Sequence, residues 1–125
     1  MAEKLKILIV EDDPASLIVS VKSLERRNVD VVSASDAYEA LNIYDHTKDL
    51  SAVMTDIQLP GMDGTEMMRR MREKEEVTKI SVPIFAMTAY AFGEEKDEFL
   101  RQGFDDVFIK PVDYDKILET LQFYM

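Results

Sequence analysis

The chain has 125 residues, 46% hydrophobic and 32% charged, and its 25 acidic against 15 basic side chains give a net charge of −10. That length suits one domain with one core, spanning 1–125, and the apolar content excludes a disordered tail. The charge has the wrong sign for nucleic-acid phosphates or an anionic membrane, and zero cysteines exclude disulfides and thiolate metal sites.

No apolar run approaches the ~18 residues of a membrane span. The start, MAEKLKILIVEDD, is no signal peptide, because its apolar stretch runs directly into three acids. A reducing, cytoplasmic location is the simple expectation.

Apolar runs of strand length alternate with amphipathic stretches. Residues 5–10 are nearly all aliphatic, as in a strand buried on both faces. Pro14 suits the first turn of a helix capped by Asp13; Leu17, Ile18, Val21 and Leu24 recur at helical spacing before residues 26–28 close it. Residues 29–34 are short and β-branched, a second strand. Asp36 followed by Glu39 resembles a capping box, opening a helix with Ala37, Ala40, Leu41 and Tyr44 on one face.

Residues 52–55 predict a third strand ending at Asp56, and Pro60, Gly61 and Gly64 make 57–64 a loop. Asp63 and Glu66 start a third helix, whose Met67, Met68 and Met71 read as core filling. Residues 82–87 predict a fourth strand, with Pro83 tolerable near its start. A polar helix over 93–102, ended by Gly103, carries the acidic run 94–98 as a solvated face. Residues 107–109 form a fifth strand, and Asp113 opens a last helix with Ile117, Leu118 and Leu121. His46, the only histidine, reads as a solvated residue near a helix end. Five such alternations imply an α/β fold, a parallel sheet with helices on both faces.

In such sheets ligands bind beyond the carboxyl ends of the strands, where strand order reverses. Strand one ends in Glu11, Asp12 and Asp13, strand three in Asp56, strand four in Thr88 and strand five in Lys110. Strand two ends in residues 33–35 with nothing reactive, which makes it an edge and places the switch point between strands one and three. Carboxylates ~4 Å apart repel by about 4 kcal/mol at an effective dielectric near 20, so positive charge is required. Lys110 supplies one unit. An all-oxygen donor set points to Mg²⁺, or Mn²⁺, for the rest. Carboxylate, metal, hydroxyl and lysine around one pocket form a phosphoryl-transfer set, with the carboxylate as nucleophile.

These residues resemble the receiver domain of two-component response regulators. The matching pieces are ILIVEDDP at 7–14, MTDIQLPGMDG at 54–64, MTA at 87–89 and GFDDVFIKPV at 103–112. The resemblance covers nearly the whole chain and implies a flavodoxin-like sheet of order 2-1-3-4-5. It implies that Asp56 accepts a phosphoryl group from a histidine kinase or a histidine phosphotransfer protein. It further implies that Asp12 binds Mg²⁺ directly, that Glu11 acts through water, and that the backbone carbonyl of Gln58 completes the ligands with Asp56. Thr88 and Lys110 would hold phosphate oxygens, and a cis peptide would precede Pro111.

Where the family places Tyr or Phe three residues before the lysine, this chain has Val107. A short β-branched side chain cannot fill the space an aromatic would, and Phe108 faces the other way. The response to phosphate is therefore expected in the loop 88–93, at Ala89, Tyr90 and Ala91. The stretch TAYAFGEEKDEFLRQGFDD is similar to receivers attached to hybrid histidine kinases. A free-standing receiver and a domain cut from a longer chain both fit, and the downstream effector is unspecified.

Each residue has an ordinary reading on its own. Asp13 is best explained as a cap, Asp56 alone as a turn residue, Thr88 as a strand residue and Lys-Pro as a turn. Their convergence on one rim favours the chemical reading. A Mg²⁺-dependent phosphohydrolase forming an aspartyl phosphate is the rival, but it would need an Asp-x-Asp and a cap. A flavin module would need a phosphate loop where three acids stand. A receiver-like module acting without phosphorylation would not need the intact acid, Thr88 and Lys110 set.

Overall fold

The computed structural model describes residues 4–90 and 93–125. The first three residues of the start read above as no signal peptide, and Ala91 of the expected responsive loop, lie outside them. The elements in chain order are β1 (Lys6–Val10), α1 (Pro14–Glu25), β2 (Asp30–Ala34), α2 (Ala37–His46), β3 (Ala52–Asp56), α3 (Gly64–Thr78), β4 (Ile84–Thr88), α4 (Glu94–Gln102), β5 (Asp106–Ile109) and α5 (Tyr114–Leu121), with a closing 3-10 turn at Gln122–Tyr124. All strand pairs are parallel and the sheet order is β2-β1-β3-β4-β5, as expected.

The central strands are aliphatic because both of their faces are covered. Leu8, Val10, Val53, Ile84 and Val107 pack on one side with Ala37 and Ala40 of α2 and Met67, Met68 and Met71 of α3. Ile7, Ile9, Met54 and Phe85 pack on the other with Leu24 of α1 and Ile117 and Leu121 of α5. The three α3 methionines are fully buried, so they fill the core rather than form a groove. Truncating any one to Ala should cost about 2–5 kcal/mol.

Four helices begin with an Asp side chain accepting a backbone N–H three residues on: Asp13 from Ser16, Asp36 from Glu39, Asp63 from Glu66 and Asp113 from Lys116. Each satisfies a donor that a helix start otherwise leaves unpaired. The Glu39 carboxylate accepts from the Ser35 hydroxyl at 3.3 Å. α4 has no side-chain cap and buries none of its residues, consistent with a solvated acidic face. His46 ends α2, exposed, its ring Nδ1 2.7 Å from the Asn42 carbonyl.

β1, β2 and β5 start within one residue of expectation, and the start of β4 departs further. β4 starts at Ile84, not at residue 82. The Val82 N–H donates to Glu75 and its carbonyl accepts from Arg72, which commits Val82 to α3 rather than to the sheet. Pro83 offers no donor, though its carbonyl accepts from Val53 N at 2.9 Å. Among the described residues no helix is long and apolar enough to cross a membrane.

Candidate functional site

The carboxyl rim is built by where each strand stops. The Glu11 N–H donates to the Ala34 carbonyl at 3.1 Å, extending the β1–β2 pairing one residue past β1. That bond fixes Glu11 with its side chain turned inward, only 3% exposed. Asp12, next along, is exposed. Asp13 is committed to α1, accepting from Ser16 N at 3.0 Å and Ser16 Oγ at 2.6 Å. β3 lies beside β1 and delivers Asp56, so one carboxylate oxygen each from Glu11, Asp12 and Asp56 falls within 4.8 Å of the others.

Lys110 arrives from the end of β5, its backbone held by an N–H bond to the Thr88 carbonyl at 2.9 Å. Its Nζ donates to Glu11 Oε1 at 2.7 Å and to Asp56 Oδ2 at 3.0 Å. The Lys110–Pro111 peptide is cis, as the resemblance implied.

Electrostatics follow from this packing. Burial pushes the Glu11 carboxyl above the ordinary glutamate range, the Lys110 ammonium pulls it partly back, and the neighbouring Asp56 raises it again. For Lys110 burial alone would lower the pKa, but the bonds to Glu11 and Asp56 outweigh it and the net direction is upward. The lysine is therefore charged at neutral pH. One ammonium faces three carboxylates, and the rim stays short of positive charge. The donor set is all oxygen and suits a hard divalent cation, Mg²⁺ or Mn²⁺. Asp12 is exposed, whereas Glu11 already accepts from Lys110.

Thr88 closes β4, buried and only 7% exposed, one residue beyond the Met87 that pairs with Asp56. Its hydroxyl accepts from Tyr90 N at 3.1 Å. Gln58 sits exposed in the loop after Asp56. The five side chains expected at the rim thus stand on one edge, and Asp13 stands apart as a cap. A groove of about 510 Å³ opens beside them, lined by Glu11, Val19, Lys110 and Tyr114 among others. Another, of about 550 Å³, lies between α2 and α3 around Tyr44 and Val77 and includes none of the rim residues.

Two residues at the rim escaped the sequence reading. Thr55, fully buried, donates its hydroxyl to the Asp56 carbonyl at 2.9 Å. Gly64 is not only a loop residue: it opens α3, with its backbone pressed against the Asp56 peptide. The recurring Pro-Gly and Asp-Gly signals of that loop hid this second role. Val107 is buried on the α2–α3 side, and Phe108 turns to the opposite face, its ring edge-on to Phe85 at 5.5 Å.

A doubly wound parallel sheet of order β2-β1-β3-β4-β5 defines the flavodoxin-like class of α/β protein, and here an acidic, lysine-bridged pocket stands at its switch point. The model of the response regulator receiver domain matches residues 7–122, and the chain belongs to that family of two-component signal-transduction domains. It is 37% identical over 108 residues to the sensor histidine kinase GacS of Pseudomonas protegens, covering 86% of this chain and 12% of GacS. An uncharacterised 14.6 kDa protein of Leptolyngbya boryana is 34% identical over 121 residues, 97% of this chain and 90% of that one. A chain in the co-crystal structure of the Saccharomyces cerevisiae histidine phosphotransfer protein Ypd1 with the receiver domain of Ssk1 superposes with a TM-score of 0.83 and 26% identity, covering 98% of this chain and 89% of the other. This chain spans about an eighth of the length of the sensor kinases it matches.

Proposed function

We propose that Asp56 is the phosphoacceptor, taking a phosphoryl group from a phosphohistidine on a histidine kinase or a histidine phosphotransfer protein. The observation that carries this is the Glu11, Asp12 and Asp56 cluster bridged by Lys110. An Asp56 carboxylate oxygen forms the new bond to phosphorus as the bond from phosphorus to the donor imidazole nitrogen breaks. The electron pair leaves with the imidazole, and an acyl phosphate remains on Asp56.

Lys110 already reaches Asp56, so its ammonium can follow charge onto the transferred phosphoryl oxygens while keeping Glu11. The Thr88 hydroxyl can turn from accepting the Tyr90 N–H to donating to a phosphoryl oxygen. Mg²⁺ held by Asp12, Asp56 and the Gln58 carbonyl, with Glu11 through water, would neutralise charge on the transferring group. The chain acts as one receiver unit over 1–125 in the cytoplasm, and catalyses only its own phosphorylation and dephosphorylation.

Phosphorylation adds about −1.5 to −2 charges at the rim. With Val107 in place of an aromatic and Phe108 on the far face, the response falls on the loop after Thr88, whose Ala89 and Tyr90 are exposed. An unspecified effector would read that loop. The test is intact-mass measurement after incubation with acetyl phosphate and Mg²⁺. One added phosphoryl group, lost when the metal is chelated, is the expected result; no addition, or addition indifferent to chelation, contradicts it.

A further inference from the structure

The peptide that follows Asp56 is gripped from two sides. On one, the Thr55 hydroxyl, on a fully buried residue, donates to the Asp56 carbonyl at 2.9 Å. On the other, Gly64 leaves no room for a side chain. A Cβ there would overlap the Asp56 carbonyl oxygen and stand 3.1 Å from Ile57 Cα and 3.2 Å from the Asp56 carbonyl carbon. The Gly64 N–H also donates to the Ile57 carbonyl at 2.9 Å. Gly64 has no left-handed φ, so close approach rather than backbone freedom explains the glycine.

Two consecutive peptides are held this way, and they lie between the carboxylate of Asp56 and the carbonyl of Gln58. We propose that Thr55 and Gly64 are positioning residues, clamping the start of the Asp56–Asp63 segment against α3 so that phosphoacceptor and metal-facing carbonyl keep one fixed relation. The inference rests on the reading of Asp56 as phosphoacceptor. In-line attack depends steeply on placement, since misplacement by about 1 Å can cost on the order of 10²-fold.

Thr55→Val keeps the shape and loses the donor, Thr55→Ser keeps the donor and loses the methyl, and Gly64→Ala forces the overlap. With acetyl phosphate and saturating Mg²⁺, Thr55→Val should label about tenfold more slowly than the wild type, and Thr55→Ser should recover to within about twofold. In the metal-free proteins, amide resonances of residues 56–59 should move in Thr55→Val and Gly64→Ala but stay near wild type in Thr55→Ser. The Thr55 pair decides the proposal even where Gly64→Ala does not fold. Wild-type labelling by Thr55→Val, or Ser as slow as Val, would overturn it. If the wild type takes up no phosphoryl group the acceptor reading fails, while the metal-free amide shifts still decide the clamp.

Discussion

Among the described residues, two places set a cation between two carboxylates. At the carboxyl rim Lys110 bridges Glu11 and Asp56. At the opposite end of the sheet Arg72 bridges Glu75 at 2.9 Å and Asp105 at 2.6 Å. The Arg72 guanidinium also donates to the Gly103 and Val82 carbonyls, and Asp105 accepts from Ile84 N at 2.7 Å. Burial works against the charge on Arg72, and the bonds and charges of Asp105 and Glu75 together more than offset it, so its pKa rises.

At that end one guanidinium faces two carboxylates and its donors are all taken up, and the planar fork uses its fixed geometry to join α3 to the entries of β4 and β5. The rim differs in one respect. Asp12 adds a third carboxylate with no cation of its own among the described salt bridges. A satisfied network fixes structure, whereas a surplus of like charge held by the fold leaves a position for something positive.

Removing each cation should separate the two roles. Lys110→Met should slow labelling by acetyl phosphate by about 10²-fold, as losing a preorganised charge does elsewhere, with the time course followed by intact mass. Arg72→Leu should instead lower stability by about 2 kcal/mol, reduced from the value for a fully buried pair because both partners are partly exposed. Its labelling rate, measured well below its melting temperature, should stay within about twofold of wild type. Equal effects of both substitutions on labelling would erase the distinction drawn between the two ends.

The acidic trio sharpens the comparison at smaller scale. Asp12→Asn should weaken Mg²⁺ binding by about tenfold or more, since even outer-shell partners act on that scale, and calorimetric titration reads it. Asp13→Ala should leave Mg²⁺ affinity alone and lower the unfolding midpoint by a few degrees.

The Asp13 contribution should also depend on pH. Bonds from Ser16 hold the Asp13 carboxyl below its ordinary value. Folding therefore gains from Asp13 above the ordinary aspartate range and loses that gain as pH falls through the depressed folded value. Melting curves of wild type and Asp13→Ala should accordingly converge in acid and separate at neutral pH.

Much of this was readable from sequence because it is local. Caps at Asp13, Asp36, Asp63 and Asp113 need only the neighbouring residues. Central strands announced themselves through aliphatic runs, and the chemical residues through their positions at strand ends. What stayed hidden depends on distant partners or on space. Glu11 and Lys110 are 99 positions apart, and nothing local says that the lysine chooses Glu11 as well as Asp56.

The late start of β4 is set by Arg72 and Glu75 on α3, outside the strand's own pattern. Gly64 looks like any loop glycine until the Asp56 carbonyl is found against it. Thr55 reads as a β-branched strand residue, and its hydroxyl bond needs the backbone geometry at the strand's end.

The central claim is that the charge-surplus rim makes Asp56 the acceptor. The direct measurement is chemical trapping: borohydride reduction after labelling with acetyl phosphate and Mg²⁺, then peptide mass mapping of the wild type and of Asp56→Asn. Reduction at Asp56 in the wild type, with no trapped residue in Asp56→Asn, is what this account predicts. Trapping at Asp12, Asp13 or any other carboxylate in the wild type, or undiminished phosphoryl uptake by Asp56→Asn, would contradict it.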